Sequence, residues 1–267
     1  MQQVKPKKAL GQHFLTDLSV AARIAATVDE YKGMPVLEVG PGMGVLTRPL
    51  LEAGHDVTVV EIDTESVGYL RANFPALTDG TRIIEGDFLK LDLAEIFPGK
   101  KFCVIGNYPY NISSQIFFHV LDYKDMVPCC SGMLQREVAE RIAAGPGTKA
   151  RGILSVLLQA WYDIDYLFTV SEHVFNPPPK VKSGVIKMVR NGVTDLGCDE
   201  RLFKTVVKTT FGQRRKTIRN SVRSLLAPGA QLPDSKLLAM RPEQLSVAEF
   251  IELTNLVSSI SRKAEQS

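Results

Sequence analysis

The chain has 267 residues, of which 45% are hydrophobic and 23% charged, and its formal net charge is +3. These proportions are typical of a folded protein and exclude disorder as the main state. No apolar run reaches the roughly 18 residues that a membrane-spanning helix needs. Residues 1–11 are basic and polar, unlike a secretory signal, so we expect a cytoplasmic protein without a membrane partner. The four cysteines form no C-x-x-C pair, and we expect free thiols.

Short apolar strands alternate with helical patterns over the first two thirds of the chain. The predicted strands are residues 36–39, 57–62, 82–85, 102–105, 131–134, 164–170 and 185–189. The predicted helices are residues 18–28, 45–53, 65–73, 112–121, 136–143 and 153–162. This alternation predicts an α/β fold with a mostly parallel sheet covered by helices, in which the last two strands form an antiparallel edge.

The last part of the chain differs in pattern and in charge. It is helical from residue 200 onward, so we predict a large domain of residues 1–192 and a small helical domain of residues 193–267. Residues 201–224 include eight basic residues and no acid, and a second basic cluster lies near the N-terminus at Lys5, Lys7 and Lys8. Two such patches favour a polyanionic partner, although each alone could be a solvated helix face.

A glycine-rich segment, Glu38-Val39-Gly40-Pro41-Gly42-Met43-Gly44, separates the first strand of the sheet from a helix. Glycines there let the backbone approach a ligand closely. Glu61 ends the next strand, where a carboxylate can accept hydrogen bonds from both ribose hydroxyls, and Asp87 follows the third strand, where it could meet an adenine edge. The third glycine comes one residue earlier than in the dinucleotide fingerprint, so the pattern favours S-adenosylmethionine over a nicotinamide cofactor. The candidate cofactor residues of this segment and of the two strand ends are Gly40, Gly42, Gly44, Glu61 and Asp87.

A second motif, Asn107-Tyr108-Pro109-Tyr110, follows the fourth strand at the same sheet edge. Adenine's exocyclic amine is a poor nucleophile because its lone pair is delocalised into the ring. Acceptors on both N–H groups, the Asn107 side-chain oxygen and a backbone carbonyl at Tyr108 or Pro109, would favour a pyramidal, reactive nitrogen. Pro109 would fix the turn, and the ring of Tyr110 could stack on a base, which contributes about 1–3 kcal/mol. Because a methyl sulfonium is already activated, the motif predicts transfer by positioning and electrostatics, without a metal.

Three further segments accompany these two motifs: residues 8–15 (K-A-L-G-Q-H-F-L), residues 174–181 (V-F-N-P-P-P-K-V) and residues 211–216 (F-G-Q-R-R-K). The five ordered motifs together resemble the ribosomal RNA adenine dimethyltransferase family, and most closely its bacterial members that modify 16S rRNA. The resemblance spans nearly the whole chain. It implies a class I S-adenosylmethionine-dependent methyltransferase fold, with a Rossmann-like seven-stranded sheet and a small C-terminal helical domain.

The resemblance also implies a substrate and further site residues. The reaction would add two methyl groups to each of two adjacent adenosines near the 3′ end of 16S rRNA in the small ribosomal subunit, as part of ribosome biogenesis. His13, Leu15 and Asn107 would join the cofactor site. Phe175 would face Tyr110, so that the two rings sandwich the extruded adenine. We expect a monomer. The predicted RNA contacts are Lys7, Lys8, Arg214, Arg215 and Lys216.

Two positions depart from the family pattern. Position 13 is His where bacterial members often have Asn, and His can still donate a hydrogen bond, although with different geometry. Position 108 is Tyr where Leu or Ile is usual. If Tyr108 contributes its carbonyl, the side chain matters little, but it could change the pocket width and thus the ease of the second methylation.

Four alternatives remain open from the residues. A 23S rRNA adenine methylase of the antibiotic-resistance type shares most catalytic motifs, but the N-terminal segment and the Arg214-Arg215-Lys216 context disfavour it. A DNA adenine methylase fits the Asn107–Tyr110 motif alone. A non-catalytic factor that binds RNA or ribosomal subunits would not need Asn107 and Tyr110, and a nicotinamide oxidoreductase would bind NAD.

Overall fold

The computed structural model describes residues 7, 10–78 and 82–265, with side chains up to residue 262. The chain divides into two compact units, one of residues 1–140 and 163–190 and one of residues 141–162 and 191–267. The predicted division at residue 192 assigns residues 141–162 to the first part, whereas they group with the second unit. The division of functions between the two parts stays a prediction.

A seven-stranded sheet lies in the first unit. The strands of the protein are β1 (Phe14–Leu15), β2 (Val36–Val39), β3 (Val57–Glu61), β4 (Ile83–Glu85), β5 (Cys103–Asn107), β6 (Cys129–Gln135), β7 (Tyr162–Val170), β8 (Phe175–Asn176) and β9 (Ser183–Arg190). The sheet order is β4-β3-β2-β5-β6-β9-β7; neighbours from β4 to β6 are parallel, and β9 is antiparallel to β6. The predicted seven strands, including the pair at the edge, are confirmed.

Helices accompany the strands of this unit: α1 (Leu18–Ala25), α2 (Thr47–Glu52), α3 (Thr64–Asn73), α4 (Leu93–Ile96), α5 (Ser113–Asp122) and α6 (Arg136–Ala143). Asp17 begins α1, since its side chain accepts hydrogen bonds from the Ser19 and Val20 N–H groups. Every residue of β2 and β3 is buried, as expected for central parallel strands that are covered on both faces. This burial leaves the strand ends as the places where polar side chains can meet a ligand.

A short antiparallel pair joins two distant segments at the sheet's carboxyl edge. Strand β1 pairs with β8, with Phe14 opposite Asn176 and Leu15 opposite Phe175. The Thr16 N–H extends the pairing with a 2.8 Å hydrogen bond to the Val174 carbonyl. The pair fixes residues 13–16, which we call the arm, beside the segment that carries the three prolines.

The second unit is helical from Glu200 onward, as predicted. Its helices after α6 are α7 (Ile153–Gln159), α8 (Glu200–Gly212), α9 (Ile218–Ser221), α10 (Lys236–Ala239) and α11 (Val247–Glu265). Arg151 is fully buried and ties this unit together, because its guanidinium donates to the carbonyls of Ala144 (2.7 Å) and Leu245 (3.2 Å). Within the described ranges, no helix combines the length and apolar character needed to cross a bilayer.

Candidate active site

A cleft of about 990 Å³, counting the part open to solvent, lies at the carboxyl ends of β2, β3 and β5. Ligands of open α/β sheets bind at this edge. The cleft thus brings together most of the described residues that the sequence predicts for cofactor binding and catalysis. Those that line it are His13, Leu15, Gly40, Gly42, Glu61, Asp87, Asn107, Pro109 and Tyr110.

The three glycines of the first motif adopt positive φ angles of 69°, 55° and 75°. Gly42 donates its N–H to Glu61 Oε2 at 2.9 Å, so the loop and the end of β3 form one structure. Gly44 has a different role, because a Cβ there would come within 2.3 Å of the Phe74 ring. Gly44 does not line the cleft, and its place against Phe74 explains this glycine by packing; its predicted cofactor contact stays a prediction.

Two buried carboxyl groups, Glu38 and Glu61, lie beside this loop. Glu61 accepts backbone N–H groups on both oxygens, from Gly42 and from Asp63, each at 2.9 Å. Burial raises the pKa of the Glu61 carboxyl, against the opposing effect of these hydrogen bonds. Glu38 accepts the Thr47 hydroxyl at 2.7 Å, and burial raises its pKa to about 8. Glu38 had no predicted role beyond its place in the motif.

The Asn107 side chain is oriented by the arm. Its Nδ2 donates to the His13 carbonyl at 3.2 Å, so the carbonyl oxygen Oδ1 lies on the other side of the amide. Downstream, the Pro109 carbonyl accepts the Ile112 N–H at 3.2 Å within the turn. The Tyr108 N–H donates to the Met133 carbonyl at 2.8 Å, which fixes the motif to β6. Of the two carbonyls considered, that of Tyr108 is therefore the better candidate to accept from a substrate.

The Tyr108 side chain packs under the sheet. It is 1% exposed, and its hydroxyl donates to the Ser131 carbonyl at 2.7 Å. Its ring takes the space that side chains on Gly106 and Gly132 would need, since a Cβ on either glycine would come within 2.9 Å or 2.6 Å of it. The larger residue at this position is thus accommodated by two glycines on neighbouring strands.

Tyr110 is held against the arm. Its hydroxyl forms a 2.5 Å hydrogen bond with the Ser183 hydroxyl, and its ring lies 5.5 Å from that of His13, tilted by 31°. His13 Nδ1 in turn bonds the Pro177 carbonyl at 2.8 Å. Phe175 is 4% exposed within the hydrophobic core and does not line the cleft. Its predicted stacking role opposite Tyr110 stays a prediction.

The predicted RNA contacts have different surroundings. Lys7 forms ion pairs with Asp63 and with Glu65, the latter at 3.1 Å, and Lys8 lies outside the described residues. Arg214 donates to the Lys149 carbonyl and lies 3.8 Å from a Glu243 oxygen. The remaining two predicted residues, Arg215 and Lys216, are exposed. All five assignments stay predictions.

Several residues that line the cleft had no predicted role, and Ile62 is one of them. Ile62 lines it and is 51% exposed, which is unusual for a large apolar side chain. It directly follows Glu61, so it offers an apolar surface next to the carboxylate that is predicted to bind a ribose. The signal in the sequence was an apolar residue beyond the acid that ends β3, but a buried strand residue has the same appearance.

The family model for ribosomal RNA adenine dimethylase matches residues 3–259. The chain belongs to this family. It is 71% identical over 256 residues to "Ribosomal RNA small subunit methyltransferase A" of Parabacteroides distasonis, covering 95% of this chain and 94% of the relative. The protein of the same name from Bacteroides thetaiotaomicron is 63% identical over 267 residues, covering 100% and 99%.

Two solved structures have the same fold. A dimethyladenosine transferase from Plasmodium falciparum superposes with a TM-score of 0.74 at 22% identity, covering 94% of this chain and 98% of that one. The 23S rRNA methyltransferase ErmE superposes with a TM-score of 0.64 at 26% identity, covering 91% and 99%. The family match confirms the predicted enzyme class, an rRNA adenine dimethyltransferase, and the class I methyltransferase fold.

Proposed function

We propose that this enzyme uses S-adenosylmethionine to dimethylate two adjacent adenosines near the 3′ end of 16S rRNA in the small ribosomal subunit. The observation that carries the proposal is the Asn107 amide, which the arm orients in the same cleft as Glu61 and Asp87. The small subunit is supported by relatives that bear its name at 63% identity or more, against 26% for ErmE. The adjacent adenosines follow from the family resemblance, and the monomeric state and cytoplasmic location remain predictions.

The hydrogen-bond acceptors of the cleft fit S-adenosylmethionine. Each Glu61 oxygen holds one backbone N–H and keeps capacity for a second donor, which suits a ribose diol. Asp87 Oδ1 accepts the Leu89 N–H at 3.1 Å, and Oδ2 lies 3.6 Å from Lys90 Nζ. A carboxylate oxygen has two lone pairs, so Oδ2 keeps capacity to accept from an adenine amine. Ile62 offers an apolar surface beside them. When bound, the cofactor supplies a methyl group on a cationic sulfonium.

The chain's own contribution to catalysis is to hold the target amine. Asn107 Oδ1 and the Tyr108 carbonyl would accept its two N–H groups, which localises the nitrogen lone pair towards the methyl group. Because Asn107 and Tyr108 are fixed by bonds to His13 and Met133, these acceptors need no reorganisation during the reaction. The Tyr110 ring, fixed through Ser183, would stack on the extruded base.

A labelling experiment tests this function. Purified protein is incubated with methyl-labelled S-adenosylmethionine and small ribosomal subunits that lack the modification, with large subunits in parallel, and the RNA is digested to nucleosides. Label in dimethyladenosine from small subunits alone is the expected result. Label from large subunits alone would move the protein to the 23S type, and label in neither would contradict the proposal.

A further inference from the structure

Glu38 is a buried acid within the cofactor cleft. It stands at the carboxyl end of β2, is 1% exposed and lines the cleft. Its hydrogen bond comes from the neutral Thr47 hydroxyl, at 2.7 Å. Across the residues that the structure describes, no Lys, Arg or His forms an ion pair with it. A carboxylate in this position would be a buried charge without compensation, which is costly.

The groups around Glu38 do not favour its ionised form. Its partners on the adjacent strands are the apolar Val59 and Ile105. Burial raises the pKa of Glu38, the Thr47 hydrogen bond lowers it, and the negative charge of a second acid, Glu61, raises it further. The other titratable residues that line the cleft are His13, Asp87, Tyr108 and Tyr110. With a pKa of about 8, the Glu38 carboxyl is mostly neutral at pH 7.

The proposed cofactor would change this balance. Its methionyl half carries an ammonium and a sulfonium, and a cation near a buried carboxyl favours the ionised form. We propose that Glu38 holds a proton in the free protein and releases it when the positively charged methionyl half of the cofactor binds. The inference rests on the proposed function and makes Glu38 a positioning residue that responds to cofactor charge.

A proton that leaves on binding couples affinity to pH. Since the free protein binds the extra proton below pH 8, association with S-adenosylmethionine strengthens as pH rises from about 6 to about 7, where the ligand's own α-amino group is still protonated. The limit of this effect is tenfold per pH unit, and it ends above the pKa of the free Glu38. A Glu38 that merely fastened the loop to α2 through Thr47 would give no such dependence.

Calorimetry distinguishes the two roles. Binding is measured at pH 7 in phosphate and in Tris, whose different ionisation enthalpies report the number of protons released. The ligands are S-adenosylmethionine and 5′-methylthioadenosine, which keeps the adenine and ribose but lacks the charged methionyl half. Glu38→Gln keeps an acceptor for Thr47 without the titrating group, and Glu52→Gln, an exposed acid on α2, is the matched control.

We expect release of close to one proton with S-adenosylmethionine and none with 5′-methylthioadenosine. The difference should vanish in Glu38→Gln and persist in Glu52→Gln. Equal release with both ligands, or binding of S-adenosylmethionine without release, would overturn the role of Glu38 while leaving the proposed function intact. Failure of the wild-type protein to bind S-adenosylmethionine at any pH would instead contradict the proposed function. If Glu38→Gln does not fold, the comparison of the two ligands on the wild-type protein still decides.

Discussion

The two sides of the cleft are built from contacts of different range. On the cofactor side, Glu61 bonds Gly42 and Asp63, which are close to it in the sequence. On the substrate side, Asn107 bonds His13, 94 residues away, and Tyr110 bonds Ser183, 73 residues away. A local motif therefore specifies the cofactor side, whereas the substrate side depends on the arm and on β9. Variants can test each side separately.

The largest effect is expected from Asn107→Ala, which removes an acceptor for the target amine. Loss of one preorganised group of this kind typically lowers the rate about 100- to 1,000-fold. Affinity for S-adenosylhomocysteine should change only a few-fold, because the cofactor side keeps its own bonds. Single-turnover methylation measures the rate, and calorimetry measures the affinity for S-adenosylhomocysteine. Near-normal turnover would show that Asn107 does not take part in the reaction.

Glu61→Gln should weaken cofactor binding on the cofactor side of the cleft. The new amide would direct an N–H group at the backbone N–H of Gly42 or Asp63, so one hydrogen bond is lost, and the ribose loses a charged acceptor. We expect cofactor affinity to fall about 10- to 100-fold, equivalent to about 1.4–2.8 kcal/mol. The maximal rate at saturating cofactor should fall much less. A selective loss of maximal rate would contradict the division of the cleft into two sides.

Basic residues of the second unit give a smaller, salt-dependent effect. Arg215 and Lys216 are exposed, so replacing both by Ala should weaken RNA binding several-fold and reduce the slope of log affinity against log salt by up to about two. Arg214→Ala is the matched comparison, because Arg214 already bonds Lys149 and faces Glu243. Filter binding at several salt concentrations measures the slopes. An unchanged slope in the double variant would indicate that both residues lie on a solvated surface and do not contact the RNA.

The smallest effect concerns the bond between Tyr110 and Ser183. Tyr110→Phe and Ser183→Ala each remove one hydroxyl of it, at a cost of about 1 kcal/mol in stability. The ring remains available for stacking, so we expect turnover to fall only a few-fold, and by a similar factor in both variants. Strongly unequal effects on turnover would show that one hydroxyl acts independently of this bond.

The free energy of unfolding should also depend on the protonation of Glu38. The pKa of Glu38 is raised from 4.5 to about 8 in the folded protein, so the folded state binds more protons than the unfolded state between these pH values. The contribution of Glu38 to stability is therefore present below pH 4.5 and is lost as pH rises to about 8. Compared with Glu38→Gln, the wild type should lose stability over this range in denaturant titrations. Parallel pH profiles of the two proteins would contradict a raised pKa.

Local patterns explain why much of the fold could be predicted. The strands that end at Val39, Glu61 and Asn107 are short apolar runs followed by functional residues, and parallel strands place these ends at one sheet edge. Gly42 could also be recognised from the sequence, because a backbone that approaches a ligand closely needs a glycine. The predicted edge strands likewise followed from two strand patterns without a helix between them.

Long-range pairing explains what the sequence did not reveal. The pairing of β1 with β8 involves two residues on each strand, too few for any periodic pattern, and it buries Phe175 opposite Leu15. The same limit applies to Lys7, whose acidic partner Asp63 lies 56 residues along the chain. The environment of the Tyr108 side chain could not be predicted from the sequence either. Gly132 on β6 makes room for its ring, and this glycine becomes a neighbour of Tyr108 only in the folded sheet.

The most direct test of the proposed function is to map the product. Small subunits that lack the modification are methylated by the protein, the 16S rRNA is cut into fragments, and mass spectrometry locates and counts the added methyl groups. We expect four methyl groups on one fragment near the 3′ end, two on each of two adjacent adenosines. Methyl groups on another base, or at a site elsewhere in the RNA, would contradict it.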